Sequence, residues 1–224
     1  MSGEERPAAA AQGAAASLVA TLPRLRELHG RTVVVVAGDH VLADEKLRHA
    51  FCGDIAFLRF GGVRTVVVHD GGPHPPARAV GDPEALRRHV AGHVQRGLVG
   101  SLGDHTRLAV GITGEDGRTL VVRDGADVVV DTGVVRLFLD SGRIPVVSSI
   151  AYDARGGIRH LSAVDAAGAL AAALRATLLL PAGAGGTPPV AAAVVDMALP
   201  HAVLRHLYRL DAGGDPGPGE RLDA

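Results

Sequence analysis

Runs of β-branched and aliphatic residues recur along the chain at intervals typical of alternating strands and helices. The run TVVVVA at 32–37 is apolar at nearly every position, which predicts a strand buried on both faces of a parallel sheet. Gly38 follows this run and ends it. Five further strands are predicted at 65–69, 108–112, 144–150, 177–180 and 190–195.

Between these runs, apolar residues recur every three or four positions, which predicts helices. Asp44 is placed to cap a helix that has Leu47, Phe51 and Ile55 on one face and ends before Gly61. A first helix at 14–28 contains Pro23 and is expected to be short or kinked. Other helices are predicted at 83–98, 132–142, 162–175 and 201–210.

The alternation predicts an α/β fold with an open, mostly parallel sheet and helices on both faces. An antiparallel hairpin is expected from 120–123 and 127–130. A single domain is expected over 14–212, with a disordered segment at 1–13, a Gly/Pro-rich linker at 181–189 and a flexible tail at 213–224. In such folds, ligands bind at the carboxyl ends of the strands.

The charge and the cysteine content of the chain disfavour some classes of partner and of covalent cross-link. The chain has 23 Lys+Arg against 24 Asp+Glu, a formal net charge of -1, which disfavours nucleic acid and acidic membrane as partners. Cys52 is the only cysteine, so an intramolecular disulfide is impossible and a reducing cytoplasm fits. No run reaches transmembrane length. Lys46 is the only lysine in the chain.

Three segments carry a resemblance to a known family. They are GRTVVVVAGDH from Gly30, GGVRTVVVHDGGP from Gly61, and the block from Ser141 that contains PVVSSIAYDARGGIRHLSAVDAAGALAAAL. In this order they resemble the N-acetylglutamate kinase branch of the amino-acid kinase superfamily. The resemblance covers most of 14–210 and implies the amino-acid kinase fold. It also implies transfer of the γ-phosphoryl group of ATP to a side-chain carboxylate.

The loops depart from the family pattern where its chemistry resides. The family's K-x-G-G corresponds here to Val36, Ala37, Gly38 and Asp39, so the phosphate-binding lysine is missing. Its H-G-G-G-P corresponds to His69, Asp70, Gly71, Gly72 and Pro73. Two carboxylates around a γ-phosphate would repel it. ATP and Mg are therefore not expected to bind in the family mode.

Two further departures concern the N-x-N-A-D pattern and the chain length. Asp165, which organises the lysines in the family, is present, but its asparagine partner corresponds to Ser162. The family's substrate-binding hairpin after Pro73 looks absent. The linker at 181–189 replaces most of the nucleotide lobe, including a second catalytic lysine.

The altered loops carry histidines and carboxylates, which are groups used in acid/base and metal chemistry. Candidate catalytic residues are His40, His69, Asp70 and Asp165. Whether a metal binds is left open, because His69 also belongs to the family pattern and no zinc signature is present. The remaining histidines, including His89, His93 and His201, are interpreted as surface or helix-face residues. Candidate ligand-binding residues are Gly38, Asp39, Gly71, Gly72, His74 and Ser162.

Three functions are compatible with these residues. The first is a pseudokinase or regulatory module that binds a small amino-acid-like or carboxylate ligand. The second is a non-kinase enzyme that uses the His/Asp loops, and the third is an authentic N-acetylglutamate kinase of arginine biosynthesis. A homo-oligomer, such as a dimer, is also expected, because the family commonly dimerises through its N-terminal half.

Overall fold

The computed structural model describes residues 19–73, 77, 81–123, 127–186 and 188–208. The predictions for 1–13, for 213–224 and for His74 lie outside the described residues. The strands are β1 Thr32–Val36, β2 Arg64–His69, β3 Ala109–Thr113, β4 Leu120–Val122, β5 Val128–Val130, β6 Ile144–Ser148, β7 Ile150–Asp153, β8 Ile158–His160, β9 Thr177–Pro181 and β10 Ala192–Val195. The helices are α1 Leu22–Leu28, α2 Asp39–Ala43, α3 Glu45–Phe60, α4 Pro83–His89, α5 Gln95–Gly103, α6 Gly133–Asp140, α7 Ala163–Leu174 and α8 Ala202–Tyr208.

The predicted fold class is confirmed. Six strands form one sheet in the order β10-β9-β1-β2-β6-β3, and all its neighbours run parallel. Apolar side chains on one face of this sheet form a core with α3, α5 and α8. Those on the other face form a core with α6 and α7. Both faces of β1 are therefore covered, as its unbroken valine run predicts.

A second sheet was not predicted. It has four strands in the order β5-β4-β7-β8. The predicted hairpin is confirmed as β4 and β5, which pair antiparallel. However, β7 comes from the segment predicted as one strand at 144–150, which divides at Ser149. The Ser149 N–H donates to the carbonyl of His69 at 3.0 Å, and its carbonyl accepts from the Leu161 N–H at 2.9 Å. Ser149 is therefore bonded to the main sheet through its N–H and to the second sheet through its carbonyl, and from Ile150 onward the strand pairs in the second sheet although the apolar pattern continues.

Three other expectations require correction. The run at 190–195 is apolar at every position and on that ground predicts a buried strand, but β10 is an edge strand on which Val194 is 63% exposed. The loop expected between β1 and the Asp44-capped helix contains the short helix α2. The helix predicted from 83 to 98 continues to Gly103 through a π-helical segment, Val90–Val94. Among the described residues, no helix is both long and apolar enough to cross a membrane.

Cys52 provides a direct test of the core. Its side chain is fully buried in α3, and burial raises the pKa of its thiol to about 12. Because the thiolate is the reacting species, we expect no modification by iodoacetamide at pH 8 in the native protein. Complete modification is expected in denaturant. Mass spectrometry distinguishes these outcomes, and rapid labelling without denaturant would contradict this packing.

Candidate ligand-binding site

Two loops meet at the carboxyl ends of β1 and β2. These strands pair in parallel with Val36 opposite Val68, and the Ala37 N–H donates to the Val68 carbonyl at 2.8 Å. The loop after each strand therefore emerges at the same edge. Leu42 of α2 lies 3.5 Å from the position that a Cβ on Gly72 would occupy, so the two loops pack against each other.

The first loop places its polar side chains at the surface. Gly38 is the N-cap residue of α2, and Asp39 and His40 form the first turn of this helix and are exposed. A Cβ on Gly38 would lie 2.8 Å from the Pro181 side chain at the end of β9, which accounts for the glycine. Within the described part of the chain, Asp39 and His40 make no side-chain hydrogen bond or ion pair.

The second loop contains the most deeply buried candidate. His69 is fully buried, and its Nδ1 lies 2.9 Å from the Asp70 carbonyl. Because a carbonyl only accepts, Nδ1 carries the proton in this contact and Nε2 is an acceptor in the neutral ring. Nε2 is buried and has no partner among the described residues. Burial lowers the pKa of His69, so the imidazole is neutral at pH 7.

Asp70 fixes the turn that follows His69. Its Oδ1 accepts from the Gly72 N–H at 3.1 Å, and Gly72 has a φ of 69°, a backbone conformation that favours glycine. His160 is exposed at its surface, but the protein atoms packed around it partly desolvate the ring and lower its pKa, and the charge of Asp70 opposes this shift. Asp70 therefore acts electrostatically on His160, at the end of β8, and the loop lies near the start of α7.

Ser162 and Asp165 form the N-terminal cap of α7. The Ser162 Oγ accepts from the Asp165 N–H at 3.0 Å and donates to Asp165 Oδ2 at 2.7 Å. This reciprocal arrangement is a helix-capping interaction, which explains both residues structurally. The turn after β9 approaches the same place, since a Cβ on Gly186 would lie 3.7 Å from Asp165 Oδ1.

The structure thus brings the two loops together but does not join all the predicted side chains in one cluster. His69 points into the core, Asp39 and His40 lie at the surface, and Asp165 belongs to a helix cap. Among the described residues, no three His, Cys, Asp or Glu side chains are grouped so as to hold a metal ion. The catalytic roles of His40, His69, Asp70 and Asp165 stay predictions.

A cavity of about 400 Å³ opens beside the second loop. Gly71, Gly72 and Pro73 line it, together with Arg48 from α3 and His89 from α4. The Arg48 guanidinium donates to the Leu42 carbonyl at 3.1 Å and to Ser101 Oγ at 3.2 Å. This size lies within the range of small-molecule sites, and the guanidinium gives the cavity a carboxylate-binding group.

Arg48 and His89 were missed by the sequence analysis. His89 was interpreted as a surface or helix-face residue, but its Nε2 donates to the Gly71 carbonyl at 3.0 Å. Arg48 follows Lys46 on the same polar stretch. No local signal separates either residue from other surface cations, because both are placed by contacts between distant segments.

Comparisons with known proteins give a consistent result. The family model described as "Amino acid kinase family" matches residues 31–182. Acetylglutamate kinase from Streptomyces griseus is 42% identical over 73% of this chain and 63% of that protein. Acetylglutamate kinase from Acidothermus cellulolyticus is 40% identical over 78% of this chain and 71% of that protein. The chain spans 63% and 64% of the first two relatives, from Streptomyces griseus and Nocardioides.

Solved structures resemble the chain in fold. N-acetylglutamate synthase from Neisseria gonorrhoeae, complexed with coenzyme A and N-acetyl-glutamate, matches with a TM-score of 0.60 and 23% identity. The match covers 77% of this chain and 46% of the synthase. An isopentenyl phosphate kinase matches with a TM-score of 0.56 and 15% identity over 80% of this chain and 97% of that one.

Proposed function

This chain belongs to the amino acid kinase family, and we propose that it is an acetylglutamate kinase-like protein that binds a small N-acylated acidic amino acid without phosphorylating it. The observation that carries this proposal is the chemistry of the two loops at the carboxyl ends of β1 and β2. Asp39 and Asp70 stand where the family pattern has glycines, and Val36 stands where it has a lysine.

Phosphoryl transfer requires cations around the transferring group, because its oxygens carry negative charge in the transition state. The chain has a single lysine, Lys46, and it is exposed on the first turn of α3. Of the described arginines, only Arg48 lines the cavity beside Gly71 and Gly72. The negative charges of Asp39 and Asp70 would repel a bound phosphate. The single positive charge of Arg48 is too small to compensate for both.

The residues at this edge of the sheet agree better with ligand binding than with phosphoryl transfer. Arg48 supplies a guanidinium that can donate hydrogen bonds to a carboxylate, and Gly71 and Gly72 allow close approach of a ligand to the backbone. The ligand class follows from the names of the relatives, which are acetylglutamate kinases. The predicted ligand-binding roles of Gly38, Asp39, Gly71, Gly72 and Ser162 belong to this proposal.

The second candidate is an authentic acetylglutamate kinase. The names of the relatives favour this candidate over the first, and none of the comparisons points to lost activity. Under this alternative, arginine side chains would replace the missing lysines as phosphate ligands. The two candidates share the acceptor site and differ only in phosphoryl transfer.

One experiment separates them. N-acetylglutamate is titrated into the protein by calorimetry, and acyl phosphate is measured as hydroxamate after incubation with MgATP and N-acetylglutamate. We expect binding of N-acetylglutamate and no hydroxamate above a blank without protein. We also expect Arg48→Gln to weaken binding about tenfold or more, since a charged hydrogen bond is worth about 1.5–3 kcal/mol.

The matched control is Arg26→Gln, which removes an exposed arginine from α1 and should leave binding unchanged. Hydroxamate formation that depends on the protein would establish the kinase instead. Absence of any N-acetylglutamate binding would contradict both candidates. The predicted homo-oligomer is a separate proposal, which sedimentation of the same samples would test.

A further inference from the structure

A second and larger cavity lies away from the two loops. It has a volume of about 650 Å³, and its wall is formed by α4, the π-helical segment Val90–Val94, α5, the end of β3 and Tyr152 of β7. This volume is within the range of small-molecule sites. His93 is shared with the cavity beside Gly72, but the remaining walls are different.

The wall of this cavity contains more arginines than acidic residues. Arg87, Arg88 and Arg96 line the cavity together with His93. Arg88 and Arg96 are exposed, and neither forms an ion pair with another described residue. Arg87 is different, because its Nε lies 3.1 Å from Glu84 and its Nη1 lies 3.7 Å from Glu115.

Both acidic residues of the wall are already engaged. The Glu115 side chain is only 7% exposed, and its Oε2 faces Arg87. Asp116 Oδ2 accepts from the N–H of Thr113 at 2.7 Å and from its Oγ1 at 3.1 Å. Glu115 is turned into the protein, whereas Asp116 is exposed and has one oxygen held by Thr113. Because three arginines face these two carboxylates, the wall carries a net positive charge.

The π-helical segment shapes this cavity. Ala91, Gly92 and His93 lie within it and line the wall, and π-helical turns are frequently found at functional sites. A Cβ on Gly92 would meet no atom within 4 Å. The glycine therefore leaves space at the wall, which a larger side chain would fill.

We propose that this cavity binds a small organic anion that carries at least two carboxylate or phosphate groups. Guanidinium groups bind both kinds of oxyanion through paired hydrogen bonds. Arg88 and Arg96 are separated by about 12 Å along the helix axis, so a ligand with two anionic groups can pair with one guanidinium at each end. His93 and Tyr152 also line the cavity and can supply further hydrogen-bond donors. This site goes beyond the proposed function and does not depend on it.

The test titrates citrate and pyrophosphate separately into the full chain by calorimetry at low ionic strength. We expect saturable binding of at least one probe. Arg88→Gln and Arg96→Gln should each weaken it about tenfold or more. Gly92→Leu should abolish it, although this variant removes no charge. Tighter binding of citrate identifies a carboxylate ligand, and tighter binding of pyrophosphate identifies a phosphate ligand.

Two control variants separate a defined site from general attraction of anions. Gly100→Leu makes the same substitution at a position of α5 that is also open, and Arg107→Gln removes an exposed arginine at the opposite end of β3. Both should bind the probes as the unmodified chain does. The proposal is overturned if neither probe binds, if Arg88→Gln and Arg96→Gln bind normally, or if Arg107→Gln weakens binding equally. Circular dichroism checks that each variant is folded, and the exposed Arg96→Gln remains informative even if Gly92→Leu does not fold.

Discussion

Replacing Asp54 with alanine is expected to lower the free energy of unfolding by about 3 kcal/mol, because a buried acceptor is removed and the donors at the start of a distant helix would lose their partner. Asp54 lies on α3 and is fully buried. Its Oδ1 lies 2.7 Å from His201 Nδ1, and its Oδ2 accepts from the N–H groups of Val203 and Leu204 at 3.1 and 3.3 Å. The carboxylate thus caps the first turn of α8 from a distant part of the chain, and its loss would also release this helix.

The same residue should make stability depend on pH. Burial raises the pKa of Asp54, and the contacts with His201, Leu204 and Val203 only partly oppose this shift. The native state then holds the proton more tightly than the unfolded chain, whose aspartates have a pKa of about 3.9. The contribution of Asp54 to stability is therefore largest at low pH and declines as pH rises through its raised native pKa. Asp54→Asn should remove this dependence.

Urea unfolding of the unmodified chain, Asp54→Ala and Asp54→Asn over a range of pH measures both effects. Asp104→Ala is the matched control, because Asp104 is an exposed residue that follows α5. Its loss should change stability by less than about 0.5 kcal/mol. If Asp54→Ala were as stable as Asp104→Ala at pH 7, the capping role would be wrong. A difference between Asp54→Asn and the unmodified chain that stays constant with pH would exclude the titration.

Asp54 and His201 also show what sequence reasoning could not reach. The apolar pattern identifies the inner face of α3 through Phe51, Ile55 and Leu58, and Asp54 interrupts that face. An acid on an apolar face signals a buried partner, but it does not say which one. His201 is far along the chain and was interpreted as a surface residue, because only the folded chain brings the two together.

The main sheet was predictable because local sequence patterns are sufficient to identify its strands and the helices around it. A continuous apolar run such as the one at 32–37 predicts a strand that is buried on both faces. Asp44 and Ser162 mark the starts of two helices, because each caps its helix through a local hydrogen bond. The division of 144–150 at Ser149 depends instead on hydrogen bonds to His69 and Leu161. No local pattern contains that information.

The candidate site was likewise predictable from the sequence only in part. The parallel order of the strands was enough to predict that the loops at Gly38 and Gly71 share one edge. It did not predict that His69 is buried while Asp39 is exposed. Arg48 and His89, which give the cavity its polar wall, come from helices whose packing over the loop is a tertiary property.

Replacing Gly114 with alanine is expected to destabilise the chain by about 3 kcal/mol, because a Cβ at this position has no space. It would lie 2.3 Å from the backbone oxygen of Ile150 and 2.9 Å from the Cβ of Leu120. The backbone around Gly114 is held on both sides, since its N–H donates to the Ser148 carbonyl at 3.2 Å and its carbonyl accepts from the Leu120 N–H at 2.7 Å. The closest clash is with the main chain of Ile150 and cannot be relieved by moving the Leu120 side chain, so relief requires the two sheets to separate locally. Overpacking of this kind costs up to about 3 kcal/mol.

Urea unfolding of Gly114→Ala measures this cost, and Gly100→Ala is the matched control. Gly100 lies in α5, and a Cβ there would meet no atom within 4 Å. Alanine should stabilise that helix by about 0.5–1 kcal/mol, because it loses less backbone entropy than glycine on folding. The two substitutions add the same methyl group and are expected to change stability in opposite directions. Equal effects would mean that the junction between β3 and the second sheet is looser than these contacts require.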